Sequence, residues 1–215
     1  MTSVEFAAEL EAVLPPDVPR RDVLITQAAR HLELIVETNR TMNLTRIVDP
    51  RDAAIKHVLD SVLPWRRFAN AASVLDAGTG AGFPGIPLAI ILPEVRFVLS
   101  ESIQKKARFV QEAVNWLKLA NVTVTALRAE DYSKKNPVAW IAARAVAPVA
   151  KAVTLFSPAI AGGARCLLYK GPDAGDEIAD AAPLLLRARI RAEIVDRYDL
   201  PGGCGTRALV ELNRR

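Results

Sequence analysis

Residues 73–87 read Ser-Val-Leu-Asp-Ala-Gly-Thr-Gly-Ala-Gly-Phe-Pro-Gly-Ile-Pro, and this stretch decides the fold. Val74 and Leu75 are apolar and β-prone, whereas the alternating glycines after Asp76 and the prolines beyond them favour a tight turn and a helix start. Glycine permits positive φ and lets a ligand approach the backbone, because it has no Cβ. The amides of the next helix then face that ligand. The stretch therefore predicts a buried strand followed by a ligand-binding loop.

Two classes of cofactor are compatible with this loop. Gly80, Gly82 and Gly85 fit G-x-G-x-x-G, the dinucleotide pattern. Read from Asp76, the pattern is D-x-G-x-G-x-G, which puts a carboxylate at the strand end, where it repels a pyrophosphate and attracts a cationic amino-acid group. S-adenosylmethionine carries such a group, so we favour a methyl donor over a dinucleotide. A glycine-rich turn without a ligand is the third interpretation, but alternating glycines weaken a turn unless close approach requires them.

The composition indicates one globular domain. A chain of 215 residues, 51% of them hydrophobic, can build one substantial core. The longest apolar region, Val138–Ala164, contains two charged residues and two prolines, so we interpret it as a buried strand and a helix and not as a membrane span. Glu5, Glu9 and Glu11 stand where a secretory signal would be basic and apolar, so we expect a cytoplasmic protein. Two cysteines and two histidines without ligand spacing indicate no metal site.

The distribution of positive charge is more informative than the net charge of +4. Solvated helix faces explain most clusters of cations, but several clusters on one face would form a track for phosphates. Six cations lie between Arg40 and Arg67, and smaller groups follow at 105–108, 134–135, 187–191 and 214–215.

The first third of the chain is predicted to be helical. Residues 3–13, 21–39 and about 51–62 carry apolar residues at helical spacing. His57, Asp60 and Ser61 would share one face of the third helix. His57 is then either paired with Asp60 or directed towards a substrate, and both interpretations stay open. We predict a helical cap at 1–70, packed on a core domain at 71–215.

After the glycine loop, strands and helices alternate. The predicted strands are 96–100, 122–127, 140–146 and 165–169, followed by an antiparallel pair at 189–198 and 206–213. This order predicts an α/β fold with a doubly wound, mostly parallel sheet, Rossmann-like. Glu101 ends the second strand, where a carboxylate can accept ribose hydroxyls, or it is an ordinary acid at a helix N-terminus. Arg144 lies in an apolar run and needs a partner.

Several motifs together resemble one family. The chain resembles the bacterial small-subunit ribosomal RNA guanine-7-nitrogen methyltransferases, formerly called glucose-inhibited division protein B. The motifs that carry the resemblance are Asn43-Leu44-Thr45, His57-Val58-Leu59-Asp60-Ser61, residues 76–88, the helix start at 105–109, Arg128-Ala129-Glu130, Ala143-Arg144-Ala145 and Lys170-Gly171.

The resemblance implies a class I S-adenosylmethionine-dependent methyltransferase that acts on 16S ribosomal RNA. It implies that Gly78 and Phe83 line the cofactor, that Ala129 and Glu130 contact its adenine, and that Arg144 completes the pocket near the transferred methyl group. Arg128 is a further candidate for contact with RNA, and Arg128 and Arg144 are candidate positioning residues. The chain departs from the family at Ala81, Glu101 and Ala143, where proline, aspartate and serine are usual.

The remaining predictions concern substrate and chemistry. Carbon-5 methylation of a pyrimidine needs a cysteine after the fourth strand, and methylation of an exocyclic amine needs an Asn/Asp-Pro-Pro-aromatic loop there. The chain has neither the cysteine nor that loop after the fourth strand. A guanine ring nitrogen needs neither, because no proton has to be removed from it. Two alternatives stay open, a regulator that binds S-adenosylmethionine or a nucleotide without turnover, and an NAD-dependent oxidoreductase. We expect a monomer that does not bind membranes. The residues expected to bind RNA are Asn43, Arg46, Lys56, His57, Asp60, Ser61 and Arg67.

Overall fold

Helices form the first third of the chain, and strands alternate with helices after it. The computed structural model describes all of residues 1–215. The strands are β1 (Ser73–Ala77), β2 (Arg96–Ser100), β3 (Val122–Thr125), β4 (Trp140–Arg144), β5 (Arg165–Lys170), β6 (Ile190–Asp199) and β7 (Thr206–Arg214). The helices are α1 (Ser3–Val13), α2 (Arg21–Thr38), α3 (Pro50–Ala53), α4 (Asp60–Val62), α5 (Trp65–Phe68), α6 (Gly85–Ile91), α7 (Gln104–Trp116), α8 (Ala129–Lys135), α9 (Val149–Ala161), α10 (Ala174–Asp180) and α11 (Ala182–Ala188).

All seven strands belong to one sheet, in the order β3-β2-β1-β4-β5-β7-β6. Strands β1 to β5 are parallel, and β7 runs antiparallel to both β5 and β6. The doubly wound, mostly parallel sheet with a closing antiparallel pair is therefore confirmed. The strand order reverses at β1, since β2 and β3 are added on one side of it and β4 and β5 on the other. Ligands are therefore expected at the carboxyl end of β1.

The sheet has a hydrophobic layer on each face. Successive residues of a strand point to opposite faces, so Val74 packs in one layer while Leu75 packs in the other. Every residue of β1 is buried, as expected for a central parallel strand with helices on both faces. The carboxyl end of β1 is thereby fixed between two packed layers.

The N-terminal helices pack in the first of these layers. Phe6 and Leu10 of α1 and Leu32 of α2 belong to the same buried cluster as Val74 and Phe97 of the sheet. Thr2 and Glu5 form a capping box at the start of α1, which fixes where that helix begins. The boundary between a cap at 1–70 and a domain at 71–215 stays a prediction.

Three boundaries differ from the sequence-based expectation. The helix expected at 51–62 contains a π-helical segment, Ala54–Leu59, between α3 and α4. The fourth strand ends at Arg144 and not at residue 146, because Ala145 has φ +56° and cannot continue an extended strand. The third strand ends at Thr125, the last residue that pairs with β2. A π-helical segment and a positive φ at alanine often mark functional sites.

No helix combines the length and the apolar character needed to cross a membrane.

Candidate functional site

The glycine loop, residues 78–85, follows β1 at the carboxyl edge of the sheet. Gly78 and Gly80 have φ values of +68° and +59°, which a residue with a side chain rarely adopts. A Cβ on Gly80 would meet no atom nearer than the Gly78 carbonyl oxygen, at 4.0 Å, so this part of the backbone faces open space. A Cβ on Gly78 would lie 3.2 Å from Cγ2 of Val146, in the segment after β4. A ligand can therefore approach the backbone at Gly80, whereas Val146 covers the Cβ side of Gly78.

The later glycines of the loop face the protein and not a ligand. A Cβ on Gly82 would lie 2.6 Å from Cδ1 of Ile86 and 3.0 Å from Cε1 of His31. A Cβ on Gly85 would collide with Leu99. Gly82, which we expected to bind the cofactor, is buried. The loop needs a glycine at this position to pack against α6 and α2.

Asp76 holds the loop from inside. Its side chain is completely buried, and Oδ2 accepts hydrogen bonds from the Thr79 hydroxyl at 2.6 Å and the Gly85 amide at 2.8 Å. Oδ1 has no partner. Burial raises the pKa of Asp76 to about 6. This corrects the expectation that Asp76 directly meets a cationic ligand group: its carboxylate fixes the loop that would carry the ligand.

Glu101 connects the end of β2 to the same loop. Its Oε2 accepts from the Gly80 amide at 3.2 Å, and its Oε1 accepts from the Ile103 amide at 2.8 Å, at the start of α7. The carboxylate thus lies beside the open part of the loop, as a ribose-binding role requires, and also serves the helix start. The bond to Ile103 supports the interpretation of Glu101 as an acid at a helix start, and its ribose-binding role stays a prediction.

A cavity, which we call the glycine-loop cavity, opens between the carboxyl ends of β1, β2 and β4. Glu130 is half-buried there beside the buried Ala129, and Arg128 is exposed with Nη1 3.9 Å from Glu130. Lys151 of α9 also borders it, and the sequence signal for this residue was a charge inside the apolar run 138–164. The lining residues are Ala77, Gly78, Ser100, Ser102, Arg128, Ala129, Glu130, Val146, Lys151, Leu155 and Phe156.

The residues of this cavity fit S-adenosylmethionine. Apolar walls suit an adenine ring, and hydroxyl and carboxylate groups suit a ribose and the exocyclic amine. Gly80 does not border the cavity, but it lies two residues after Gly78, which does, and its backbone faces open space. A dinucleotide is less suited, since Glu101 stands beside the loop amides that would otherwise hold a pyrophosphate.

A second cavity, which we call the Arg144 cavity, lies on the other side of the segment after β4. It measures about 480 Å³ and holds four cationic side chains. Val146 borders the first cavity and Ala145 the second, so residues 145–146 form a shared wall. The lining residues are Ile47, Lys56, His57, Asp60, Arg144, Ala145, Tyr169, Lys170, Gly171, Cys204 and Arg207.

Arg144 is fixed by the π-helical segment. Its Nη1 donates to the carbonyl oxygens of Lys56 at 2.8 Å and His57 at 3.4 Å and to Oδ2 of Asp60 at 3.3 Å. The guanidinium also lies 5.5 Å from the centre of the Phe83 ring. The partner that a buried arginine needs is therefore mainly backbone, and the Nε and Nη2 groups make no hydrogen bond within the protein.

Asp60 is the counter-charge of this cavity. It is completely buried and accepts from Arg207 through Nε at 2.9 Å and Nη2 at 3.0 Å, besides Arg144. The Tyr198 hydroxyl donates to it at 3.3 Å, and burial with the nearby Asp60 charge raises the pKa of Tyr198. Asp60 was expected to bind RNA, and this burial corrects that expectation: it positions arginines.

Ser61 is likewise completely buried and does not face RNA. Its hydroxyl donates to the His57 carbonyl oxygen, and its own carbonyl accepts from the Tyr169 hydroxyl at 3.1 Å. Ser61 therefore connects the helical segment to β5.

His57 pairs with a residue that the helical spacing did not suggest. Its Nε2 hydrogen-bonds Oγ1 of Thr45 at 3.1 Å, and its ring stacks on Phe83 with centroids 4.6 Å apart. Burial, followed by the charge of Arg144, lowers the pKa of His57 to about 3. Of the two interpretations of His57, the pairing with Asp60 is wrong, because Asp60 is hydrogen-bonded to Arg144 and Arg207. His57 is neutral at physiological pH.

Phe83 lies inside an aromatic stack. His31 packs on its other side with centroids 5.0 Å apart, and Phe83 is only 5% exposed. It was expected to line the cofactor, and the structure makes it a support between the glycine loop and the Arg144 cavity.

The other residues expected to bind RNA lie in different places. Asn43 and Arg46 are exposed on the loop before α3, and Lys56 borders the Arg144 cavity while it pairs with Asp52 at 2.8 Å. Arg67 is elsewhere: it pairs with Glu211 at 3.2 Å. Its group of residues near the amino ends of β4 and β5 is separate from both cavities.

Seven residues of the Arg144 cavity were not predicted to belong to the site, and four of them carry polar side chains from the last strands and their connections. Tyr169 and Lys170 end β5, and Cys204 and Arg207 come from the hairpin of β6 and β7. Lys170-Gly171 carried part of the family resemblance, which was an available signal. Nothing local in the sequence relates Arg207 to Asp60, because 147 residues separate them.

Comparison with known proteins gives a consistent result. The family model described as rRNA small subunit methyltransferase G (GidB) matches residues 24–197. The ribosomal RNA small subunit methyltransferase G of Solibacter usitatus is 58% identical over 207 residues, covering 96% of this chain and 99% of the relative. The protein of the same name from Carboxydothermus hydrogenoformans is 35% identical over 187 residues, covering 84% and 79%.

Solved structures show the same fold at low identity. The O-methyltransferase TomG from Streptomyces achromogenes, solved in complex with SAM, superimposes with a TM-score of 0.59 at 18% identity, covering 99% of this chain and 96% of that one.

Proposed function

Because the chain belongs to the rRNA small subunit methyltransferase G family, we propose that it methylates the 7-nitrogen of a guanine in 16S ribosomal RNA. It is a methyltransferase with a Rossmann-like fold of class I, and its methyl donor is S-adenosylmethionine. Family membership sets aside the two alternatives, the regulator without turnover and the NAD-dependent oxidoreductase.

The glycine-loop cavity holds the donor in this proposal. Gly78 borders this cavity, and the backbone of Gly80 faces open space beyond it. Glu101 lies next to the Gly80 amide, where it can accept ribose hydroxyls, and Ala129 with Glu130 borders the space for adenine. When bound, S-adenosylmethionine supplies a methyl group on a cationic sulfur. The buried carboxylates Asp76 and Glu101 favour a cation at this edge of the sheet.

The Arg144 cavity takes the target nucleotide. Lys56, Arg144, Lys170 and Arg207 give it a positive lining suited to the phosphates of RNA. The free Nε and Nη2 groups of Arg144 can hold O6 of the guanine and leave the lone pair of the 7-nitrogen free, while Nη1 stays fixed on the helical backbone. In-line transfer requires the 7-nitrogen to lie directly against the methyl group, and residues 145–146, which border both cavities, mark where the two ligands would meet.

The observation that carries the choice of atom is the lack of a base in this cavity. His57 is a weak base with a pKa of about 3, and Asp60 is held by two arginines. Burial raises the pKa of Tyr169 well above its usual value, so its hydroxyl stays protonated. A guanine 7-nitrogen has a free lone pair and loses no proton, so the cavity needs only to position the base and exclude water.

Cys204 borders the Arg144 cavity, although it does not directly follow the fourth strand in the sequence. A thiolate there would permit carbon-5 methylation of a pyrimidine. However, Sγ donates a hydrogen bond to Oδ1 of Asp52 at 3.7 Å, so this thiol is engaged by a carboxylate and has no base beside it. We therefore keep guanine as the target.

The test is identification of the methylated nucleoside. The chain is incubated with small-subunit RNA and S-adenosylmethionine labelled in the methyl group, and the RNA is digested to nucleosides. We expect label in 7-methylguanosine, lost in Arg144→Gln and retained in Cys204→Ala. Label in 5-methylcytidine that disappears in Cys204→Ala would contradict the proposal.

The substrate and the build of the two cavities also bear on the oligomeric state and the location of the enzyme. We infer a monomer that acts in the cytoplasm and does not bind membranes, because a ribosomal RNA substrate is cytoplasmic in bacteria and both cavities are built from one chain.

A further inference from the structure

A group of arginines lies at the amino ends of the strands, away from both cavities. Arg165 begins β5, Arg191 lies at the start of β6, and Arg214 ends β7. Pairing brings them together, since Ile190 of β6 lies opposite Arg214 and the Arg215 amide donates to the Arg189 carbonyl at 2.9 Å. We call this surface the arginine face; its cations are Arg66, Arg67, Arg165, Arg189, Arg191, Arg214 and Arg215.

The positive charge of this face is only partly neutralised. Asp17 pairs with Arg66, Glu193 with Arg191, and Glu211 with both Arg67 and Arg165. Asp196 is the fourth carboxylate. Arg189, Arg214 and Arg215 are exposed and have no ion pair. The charge clusters at 187–191 and 214–215, which solvated helix faces could have explained, therefore meet at one edge of the sheet, where β6 and β7 pair.

Arg165 is a rigid, flat platform within this face. Its Nε and Nη2 donate to Oε1 of the buried Glu211 at 2.9 and 2.6 Å. Its guanidinium carbon lies 4.3 Å from the centre of the Trp140 ring, which packs on Phe68 with centroids 5.4 Å apart. The Arg165 side chain is nevertheless 49% exposed. Trp140 packs against the guanidinium, and the half-exposed side chain leaves part of its surface available for stacking.

A cavity of about 610 Å³ adjoins the platform. It is bordered by Leu63, Pro64, Arg66, Arg67, Asn70, Trp140, Arg165 and Asp196. Arginine planes and aromatic rings are the surfaces on which unpaired nucleobases stack, and the amide of Asn70 can hydrogen-bond a base edge. The unpaired arginines nearby suit the phosphates on either side of such a base.

We propose that the arginine face is a second RNA-binding surface that holds an unpaired segment of the same RNA, with one base stacked on Arg165 and flanking phosphates on Arg189, Arg214 and Arg215. This inference rests on the proposed function, because the ligand is the RNA substrate. Strands of five or six residues put this face roughly 20 Å from the carboxyl edge. The face therefore adds binding energy and takes no part in methyl transfer.

The first test neutralises the unpaired arginines. The variant R189Q/R214Q/R215Q is compared with R30Q/K118Q/K135Q, which removes the same charge from exposed positions elsewhere. Binding to an unpaired RNA oligonucleotide and to small-subunit RNA is measured across salt concentration, without cofactor. We expect about tenfold weaker binding at physiological salt and a salt slope lower by about two for the first variant only, at roughly 0.7 per phosphate contact.

The second test separates stacking from charge. Arg165→Lys keeps the positive charge and loses the flat plane, so affinity for the oligonucleotide should fall about fivefold with an unchanged salt slope. Thermal unfolding confirms that the variant is folded. In steady-state methylation both changes should raise KM and leave kcat unaltered.

Three results would overturn the inference. They are equal losses in the triple variant and its control, unchanged binding in both test variants, or a fall in kcat at constant KM. Failure of the proposed function itself would look different, because wild-type protein would then bind RNA with the same slopes and leave no label in guanine.

Discussion

Asp60 and Asp76 are both completely buried at the site, but their surroundings are opposite. Asp76 accepts from one hydroxyl and one amide and has an oxygen without a partner, so burial raises its pKa to about 6. Asp60 accepts from two arginines and a tyrosine. One carboxylate shapes a loop with neutral donors, and the other holds cations in place for an anionic substrate. The cofactor side of the site is thus built from local backbone geometry, and the RNA side from long-range charge.

The largest expected effect comes from removing the charge of Asp60. Asp60→Asn leaves Arg144 and Arg207 largely buried without a counter-charge, and we expect a loss of about 3 kcal/mol in unfolding free energy. Asp52→Asn is the matched control, because its pair with Lys56 is exposed and should contribute little. Urea unfolding measures both. Equal losses in the two variants would remove the distinction between a buried network and a surface pair.

The glycines of the loop should separate into two classes. Gly85→Ala places a methyl group against Leu99 and 2.6 Å from Oδ2 of Asp76, so we expect about 2 kcal/mol of destabilisation. Gly80→Ala meets open space, and only the cost of its positive φ, about 1 kcal/mol, should appear. Thermal unfolding of the two alanine variants gives the comparison. A less stable Gly80→Ala than Gly85→Ala would reverse these assignments.

His31 tests the effect of burial on a base. Its ring nitrogens have no partners, and burial lowers its pKa from 6.5 to about 4. The unfolded chain therefore takes up a proton first as pH falls, and stability is lost below the unfolded pKa. Between about pH 7.5 and about pH 5.5 the free energy of unfolding should fall by about 1.4 kcal/mol because of His31. His31→Phe should remove this pH-dependent loss.

Asp76 acts in the opposite direction in both proteins, since its pKa rises from 3.8 to about 6 on folding and its contribution is lost as pH rises through that range. The comparison of wild type with His31→Phe cancels this contribution. If the free energy of unfolding changes by the same amount between these pH values in wild type and in His31→Phe, His31 is not held neutral.

The smallest expected effect is on the pH dependence of methyl transfer. No group in the Arg144 cavity has to gain or lose a proton for attack by a guanine 7-nitrogen. The single-turnover rate at saturating RNA and cofactor should be nearly flat from about pH 6.5 to about pH 9. A tenfold rise across this range, with folding and RNA binding constant, would indicate attack by a protonated nitrogen and a base that the structure does not contain.

The same contrast explains what the sequence can predict. Residues 73–101 predict the strand, the open turn and the position of Glu101 beside the loop, because local spacing fixes a strand-turn-helix. The partners of Asp60 lie 84, 138 and 147 residues away, and only the tertiary fold brings them together.

The register of the third helix could not be predicted either. An α-helical spacing puts His57 next to Asp60, but the π-helical segment changes that geometry, and Thr45 becomes the partner of His57. Likewise Gly82 has the spacing of a ligand glycine, and only packing against Ile86 and His31 shows that it faces inward.

The division of the site into two sides is tested most directly by titrating S-adenosylhomocysteine into two variants by calorimetry. Gly80→Leu fills the open space of the glycine loop, whereas Lys56→Gln removes a cation of the Arg144 cavity. Circular dichroism checks that Gly80→Leu is folded. We predict that this variant binds S-adenosylhomocysteine roughly a hundredfold more weakly, because the leucine side chain blocks approach to the backbone. Lys56→Gln should bind as wild type does. Wild-type affinity in Gly80→Leu, or a comparable loss in Lys56→Gln, would contradict the account.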